Sequence, residues 1–185
     1  MKIDIIQSKF NFIKDKYEIL INENLEYIAK SKFLTIQPKI GIYTLGGKQI
    51  LSVEKKSENI NELNFSLKRN ENSIIDIYTN SLIEYTIRNS QGTIHFCEYK
   101  NHIIGIFQNE KQIGIINKNR KILFGEDKYY AEINDTQIDK ILVIGFIIAY
   151  DCQYNNDKDT LVNFDFGNVI IEPTRNIDPE WKVKE

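Results

Sequence analysis

Ten consecutive residues, Ile141 to Tyr150, read Ile-Leu-Val-Ile-Gly-Phe-Ile-Ile-Ala-Tyr without a charge, in a chain otherwise strand-like and studded with Lys, Glu and Asn. A segment apolar on every side cannot lie on a surface; protein must surround it. It falls far short of the roughly 20 residues a membrane span needs. The run therefore predicts a central helix, held inside a β-barrel or between two sheets. Residues 136–151 are its expected span, starting near Asn134-Asp135, either of which can cap it. Asp139 then falls in the first turn, where the helix dipole favours negative charge. Gly145 in mid-helix costs about 1 kcal/mol relative to Ala, and close approach of a wall where no side chain fits explains it.

Most of the first 133 residues is a succession of short runs rich in Ile, Tyr, Phe and Val. Candidate strands are Phe10–Lys14, Tyr17–Asn22, Leu25–Lys30, Lys39–Thr44, Gln49–Lys55, Asn64–Arg69, Ile74–Thr79, Ile83–Arg88, Thr93–Tyr99, Ile103–Gln108, Gln112–Asn117, Lys121–Phe124 and Tyr129–Ile133. Tyr85 and Ile87 alternate with Glu84, Thr86 and Arg88, and Ile94 and Phe96 with His95 and Cys97, the period of a half-buried strand. Leu45-Gly46-Gly47, Ser90-Gln91-Gly92 and Asn109-Glu110 supply the Gly or Asn that tight hairpins need. Connections this short join antiparallel neighbours, since a parallel crossover takes a dozen or more residues. The fold expected is mainly β: a barrel or highly curved antiparallel sheet wrapped around one buried helix.

Length and composition agree with a single domain carrying at most an appendage: 185 residues, 42% hydrophobic and 27% charged. A net charge of −2 gives no basic field, so a nucleic-acid partner is not expected. Charge is uneven, however. From Asp151 to Glu185 eight acidic residues face four basic ones, a net of −4 that leaves +2 on the first 150 residues. The N-terminal stretch is interrupted by Asp4, Gln7 and Lys9, unlike a secretory signal, and neither end reads as a lipidation box. A cytoplasmic protein without a transmembrane segment is the expectation.

Several segments together resemble the tubby C-terminal-like superfamily, which includes the LURP-one-related proteins and the phospholipid scramblases. They are Phe12–Asn22, Tyr27–Lys30, Ile42–Ile50 and Tyr85–Gly92, then Ile113–Asn117, Phe124–Tyr130 and Ile141–Asp151. The resemblance covers roughly Lys9 to Asp151 and rests on hydrophobic spacing with a few Gly and Asp positions. It implies a closed antiparallel barrel of about a dozen strands around a central helix, a closure that removes exposed edges. Residues 1–151 would form the barrel with its buried helix, and residues 152–185 an acidic C-terminal extension packed on it. The Pro-rich region, palmitoylated Cys cluster and membrane segment that accompany the scramblase barrel have no counterpart here. The clustered basic residues of the tubby phosphoinositide pocket are not matched by motif.

No set of residues reads as an active site, a metal centre or a cofactor cradle, and an enzyme is not expected. His95 and His102 flank one hairpin; if Lys100-Asn101 is a two-residue turn, Cys97 pairs with Ile104 and the histidines do not face each other. Hydrogen-bonded or surface histidines are the plainer reading. Cys97 reads as a small buried hydrophobe, whereas Cys152, just past the helix, is more open to exposure. Asp151, Asp157 and Asp159 lack the Gly and terminal Glu of a calcium loop. No helix follows Gly46-Gly47 to make a phosphate loop. Lys68, Arg69 and Arg88 could meet an anionic headgroup, as could Lys118, Arg120 and Lys121, although flanking Asn and Glu favour solubilising surface charge.

Two functions remain. In the first, Asp157, Asp159, Asp178 and Glu180 steer a basic protein partner, and Phe166 and Trp181 anchor it, as in a stoichiometric inhibitor or immunity-type protein. The extension could equally brace the barrel, or form a dimer contact through Leu161–Ile171. In the second, implied by the resemblance, Lys118, Arg120 and Lys121 bind anionic phospholipid.

Overall fold

The structure, a computed structural model, describes residues 1–8, 16–31, 39–56, 63–70, 73–81, 83–90, 92–99, 103–119, 128–134, 136–154 and 175–183. Twelve strands close into one barrel in which every neighbouring pair is antiparallel. They are β1 (Lys2–Ser8), β2 (Lys16–Ile21), β3 (Asn24–Ser31), β4 (Lys39–Thr44), β5 (Gln49–Lys55) and β6 (Phe65–Asn70), followed by β7 (Ser73–Ser81), β8 (Glu84–Asn89), β9 (Gly92–Tyr99), β10 (Ile103–Gln108), β11 (Lys111–Asn119) and β12 (Lys128–Ile133). The order round the wall follows the chain, and β1 closes it by pairing with both β2 and β12. Two of the candidate strands, Phe10–Lys14 and Lys121–Phe124, lie outside the described residues, as does Leu161–Ile171. β1 is not among the candidate strands, yet its Ile3, Ile5 and Gln7 face inward at period two.

Hairpin geometry follows turn chemistry. Asn109 and Glu110 have φ of 49° and 60°, and Asn22 and Glu23 have 46° and 70°, the left-handed pair that a two-residue turn requires. At the β9–β10 connection the register differs from expectation. Tyr99 pairs with Ile103, so three residues intervene instead of two, and Cys97 faces Gly105 rather than Ile104.

Helix α1 spans Lys140–Tyr154, and Leu142 to Gln153 are buried without interruption. Its neighbours come from all round the wall. Phe146 stacks on Phe96 of β9 and tilts against Tyr85 of β8, while Asp151 is reached by Tyr17 of β2 and Tyr129 of β12. On the opposite flank, a Cβ at Gly145 would lie 2.8 Å from Leu51 of β5 and 3.0 Å from Leu67 of β6. The helix therefore fills the lumen, and its glycine is the point of closest approach to the wall.

The helix begins four residues later than the expected 136 and ends three residues later than 151. Asn134 instead organises a turn, its carbonyl accepting from Gln137 and Ile138. The cap is Asp139, whose Oδ1 accepts the Ile141 amide at 2.8 Å. Asp135 lies outside the described residues. The extra C-terminal turn keeps Cys152 buried, contrary to the exposure read from its position after the helix.

Candidate functional site

A carboxylate stripped of water is costly unless hydrogen bonds replace the lost solvation. Asp151 is fully buried in the lumen, and its two oxygens accept the Tyr17 and Tyr129 hydroxyls at 2.8 Å each. Gln7 in turn donates to the Tyr17 hydroxyl at 3.4 Å. These contacts tie the last turn of α1 to β1, β2 and β12, next to the barrel closure.

The second polar cluster lies on the outer wall. Tyr85 and Phe96 face the helix, so the alternating Glu84, Thr86, His95 and Cys97 face outward; yet Glu84, Thr86 and Cys97 are buried, as are Phe107 and Ile115. Arg175 and Ile177 of the C-terminal segment lie over this face. Arg175 donates to Glu84 at 2.6 Å and to Glu110 at 2.9 Å, with its guanidinium 6.0 Å from the Phe107 ring centre. Ile177 occupies the space above Gly105, where a Cβ would come within 3.2 Å of it. Gln112 then holds Asp178 twice, accepting its amide at 2.9 Å and donating to its carbonyl at 3.1 Å, and Glu132 accepts the Val183 amide at 3.1 Å. Residues 175–183 thus cross the outside of the wall from β8 to β12.

His95 belongs to this cluster, with Nδ1 3.0 Å from Glu84; His102 lies outside the described residues. Burial pushes the Cys97 thiol up, against the opposing pull of Arg175 at 3.8 Å. That is the electrostatics of an inert thiol, not a nucleophile.

Of the residues proposed for protein contact, Asp178 and Glu180 are exposed on the C-terminal segment and Trp181 is half-buried against it. The Glu180 amide donates to Asp178 Oδ1 at 2.9 Å, and the Trp181 amide to the Asp178 carbonyl at 3.3 Å, a compact turn around Pro179. Asp157, Asp159 and Phe166 lie outside the described residues, as do Arg120 and Lys121. Lys118 is half-buried, its ammonium 5.3 Å from the Tyr129 ring centre. Sequence reasoning overlooked Arg175, because its partners Glu84 and Glu110 are far away in the chain; the isolated cation in an acidic extension was the available signal.

At the barrel end where α1 begins, a depression of about 420 Å³ opens between β6, β7 and β8. Arg69, Ser73, Ile74, Arg88, Ser90 and Asp139 contribute to its lining. Asp139 pairs with Arg69 while capping the helix. Arg88 has no carboxylate partner among the described residues and lies 5.9 Å from the Tyr78 ring centre. Beside it Ile74 and Tyr78 are 53% and 50% exposed, high values for large apolar side chains.

Twelve antiparallel strands closed around an apolar helix define a tubby-like barrel. The LURP-one-related family model matches residues 1–151, and the chain belongs to that family. No curated protein and no solved structure matches it significantly. Among the described residues no helix is long and apolar enough to cross a membrane.

Proposed function

We infer that the chain is a non-catalytic cytoplasmic protein that works by stoichiometric contact with another protein, using its C-terminal segment. One observation carries this: Asp178 and Glu180 are presented on a turn whose backbone is already tied to the barrel through Gln112 and Glu132. A pre-ordered acidic surface loses little further entropy on association and steers a basic partner. Trp181, beside it, has the amphipathic bulk of an interface anchor. Affinity capture from the host with wild-type protein and with Glu180→Lys/Trp181→Ala should recover a partner that the variant loses. Equal recovery by both would defeat this reading.

A second reading, an anionic-phospholipid module, draws support from Ile74 and Tyr78 standing exposed beside Arg88. Apolar side chains flanking a cation suit the boundary of a lipid headgroup. Lys118, Arg120 and Lys121 are its other candidate residues. It requires sedimentation with anionic vesicles that weakens as salt rises; no sedimentation at low salt would remove it.

A further inference from the structure

We propose that the depression at the helix-entry end of the barrel is a binding site for a phosphate ester, held by Arg69 and Arg88. The volume, about 420 Å³, lies inside the roughly 300–1,000 Å³ range of small-molecule sites. It accommodates a phosphate with an organic group attached. Its charge selects an anion. Among the described residues two guanidinium groups line it against one carboxylate, and that carboxylate is committed twice, to Arg69 and to the Ile141 amide. Arg88 is left with its charge unneutralised by any described carboxylate, its guanidinium lying over the Tyr78 ring. Guanidinium forks bind phosphate oxygens in pairs, and those bonds are stronger than neutral ones.

The groups converge from different elements. Arg69 lies next to the end of β6, Ser73 begins β7, Arg88 lies near the end of β8 and Ser90 follows it. Two cations and two hydroxyls disposed around a concavity match the three terminal oxygens of a phosphomonoester better than the two of a carboxylate. Ile74, exposed at the edge, offers an apolar contact to whatever the phosphate is esterified to. This site shares its ligand chemistry with the second reading above, and requires no membrane.

Titration calorimetry of the full chain with phenyl phosphate tests the soluble source, and co-sedimentation with phosphatidic acid/phosphatidylcholine vesicles tests the lipid source. Arg88→Gln is the informative variant, because Arg88 pairs with no carboxylate among the described residues. It should weaken binding about tenfold or more, the scale of one charge-assisted pair. Lys30→Gln, at an exposed position on β3, should leave binding unchanged. Phenyl phosphate binding that Arg88→Gln weakens, without vesicle binding, supports the site and defeats the phospholipid reading. Vesicle binding that Arg88→Gln weakens supports both. Binding of either ligand that is indifferent to Arg88→Gln, or no binding of either, overturns the site.

Discussion

Glu54 shows how one residue on the outer wall sets a pH limit. Burial alone would raise its carboxyl, but hydrogen bonds from Lys39, Lys68 and Ser52 outweigh it and bring the group from 4.5 down to about 2. Between those values the unfolded chain holds the proton and the folded one does not, so stability falls as pH drops through this window. Acid unfolding followed by circular dichroism should show that loss between pH 4.5 and about 2, and Glu54→Gln should flatten it. Glu23 offers the opposite lever. It occupies a left-handed position, φ 70°, where a non-glycine residue costs roughly 1–2 kcal/mol. Glu23→Gly should therefore raise the denaturation midpoint, with a gain of about 1 kcal/mol. Inside the lumen, Ile147→Asp places an unpaired charge against the wall; its cost of several kcal/mol is comparable with a total stability of about 5–15 kcal/mol. The variant should be unfolded or aggregated on expression, and a folded one would show that the lumen admits water.

Individual elements differ in how far the residues announced them. Lys39–Thr44, Gln49–Lys55 and Ile103–Gln108 have the bounds read from their apolar runs and the polar turn residues between them. Helix α1 was legible because an apolar run of that length has no other soluble home, but its start was not. Asn134 and Asp139 are both good caps, and the choice between them depends on where the lumen begins. β1 was missed because Asp4 and Gln7, read as interruptions of an apolar stretch, also fit a strand with one wet face. The outward burial of Glu84 and Cys97 was not legible either, since Arg175 reaches both from the far end of the chain. That cover can be tested through thiol labelling. In the intact chain Cys97 and Cys152 should both react slowly with an aromatic disulfide reagent, and removing residues 175–185 should speed the reaction of Cys97 alone. Cys97→Ser and Cys152→Ser controls assign the signal; an unchanged rate would mean that the segment does not shield the thiol. At the other end of the lumen, Tyr17→Phe or Tyr129→Phe takes one hydrogen bond from Asp151 and should cost about 1–3 kcal/mol each. Their double variant should depart from additivity in chemical denaturation, since both act on one carboxylate.

At the scale of the whole molecule, barrel closure joins the two ends of the strand order: Lys2 lies opposite Glu132, and Ile6 opposite Lys128. β1 therefore waits for β12 before its second edge is paired. The waiting is longer still for the interior. Every strand exposes an apolar inner face from the moment it is made, and the helix those faces pack on is translated after all of them. Long-range pairing of this kind makes folding slow, because the entropy of closing the chain is lost before the contacts form. A nascent chain stopped before Lys140 is thus a sheet with twelve apolar faces and nothing to wrap. Its natural recourse is a second such sheet or a chaperone. The ten uncharged residues from Ile141 to Tyr150 are the surface on which those faces come to rest.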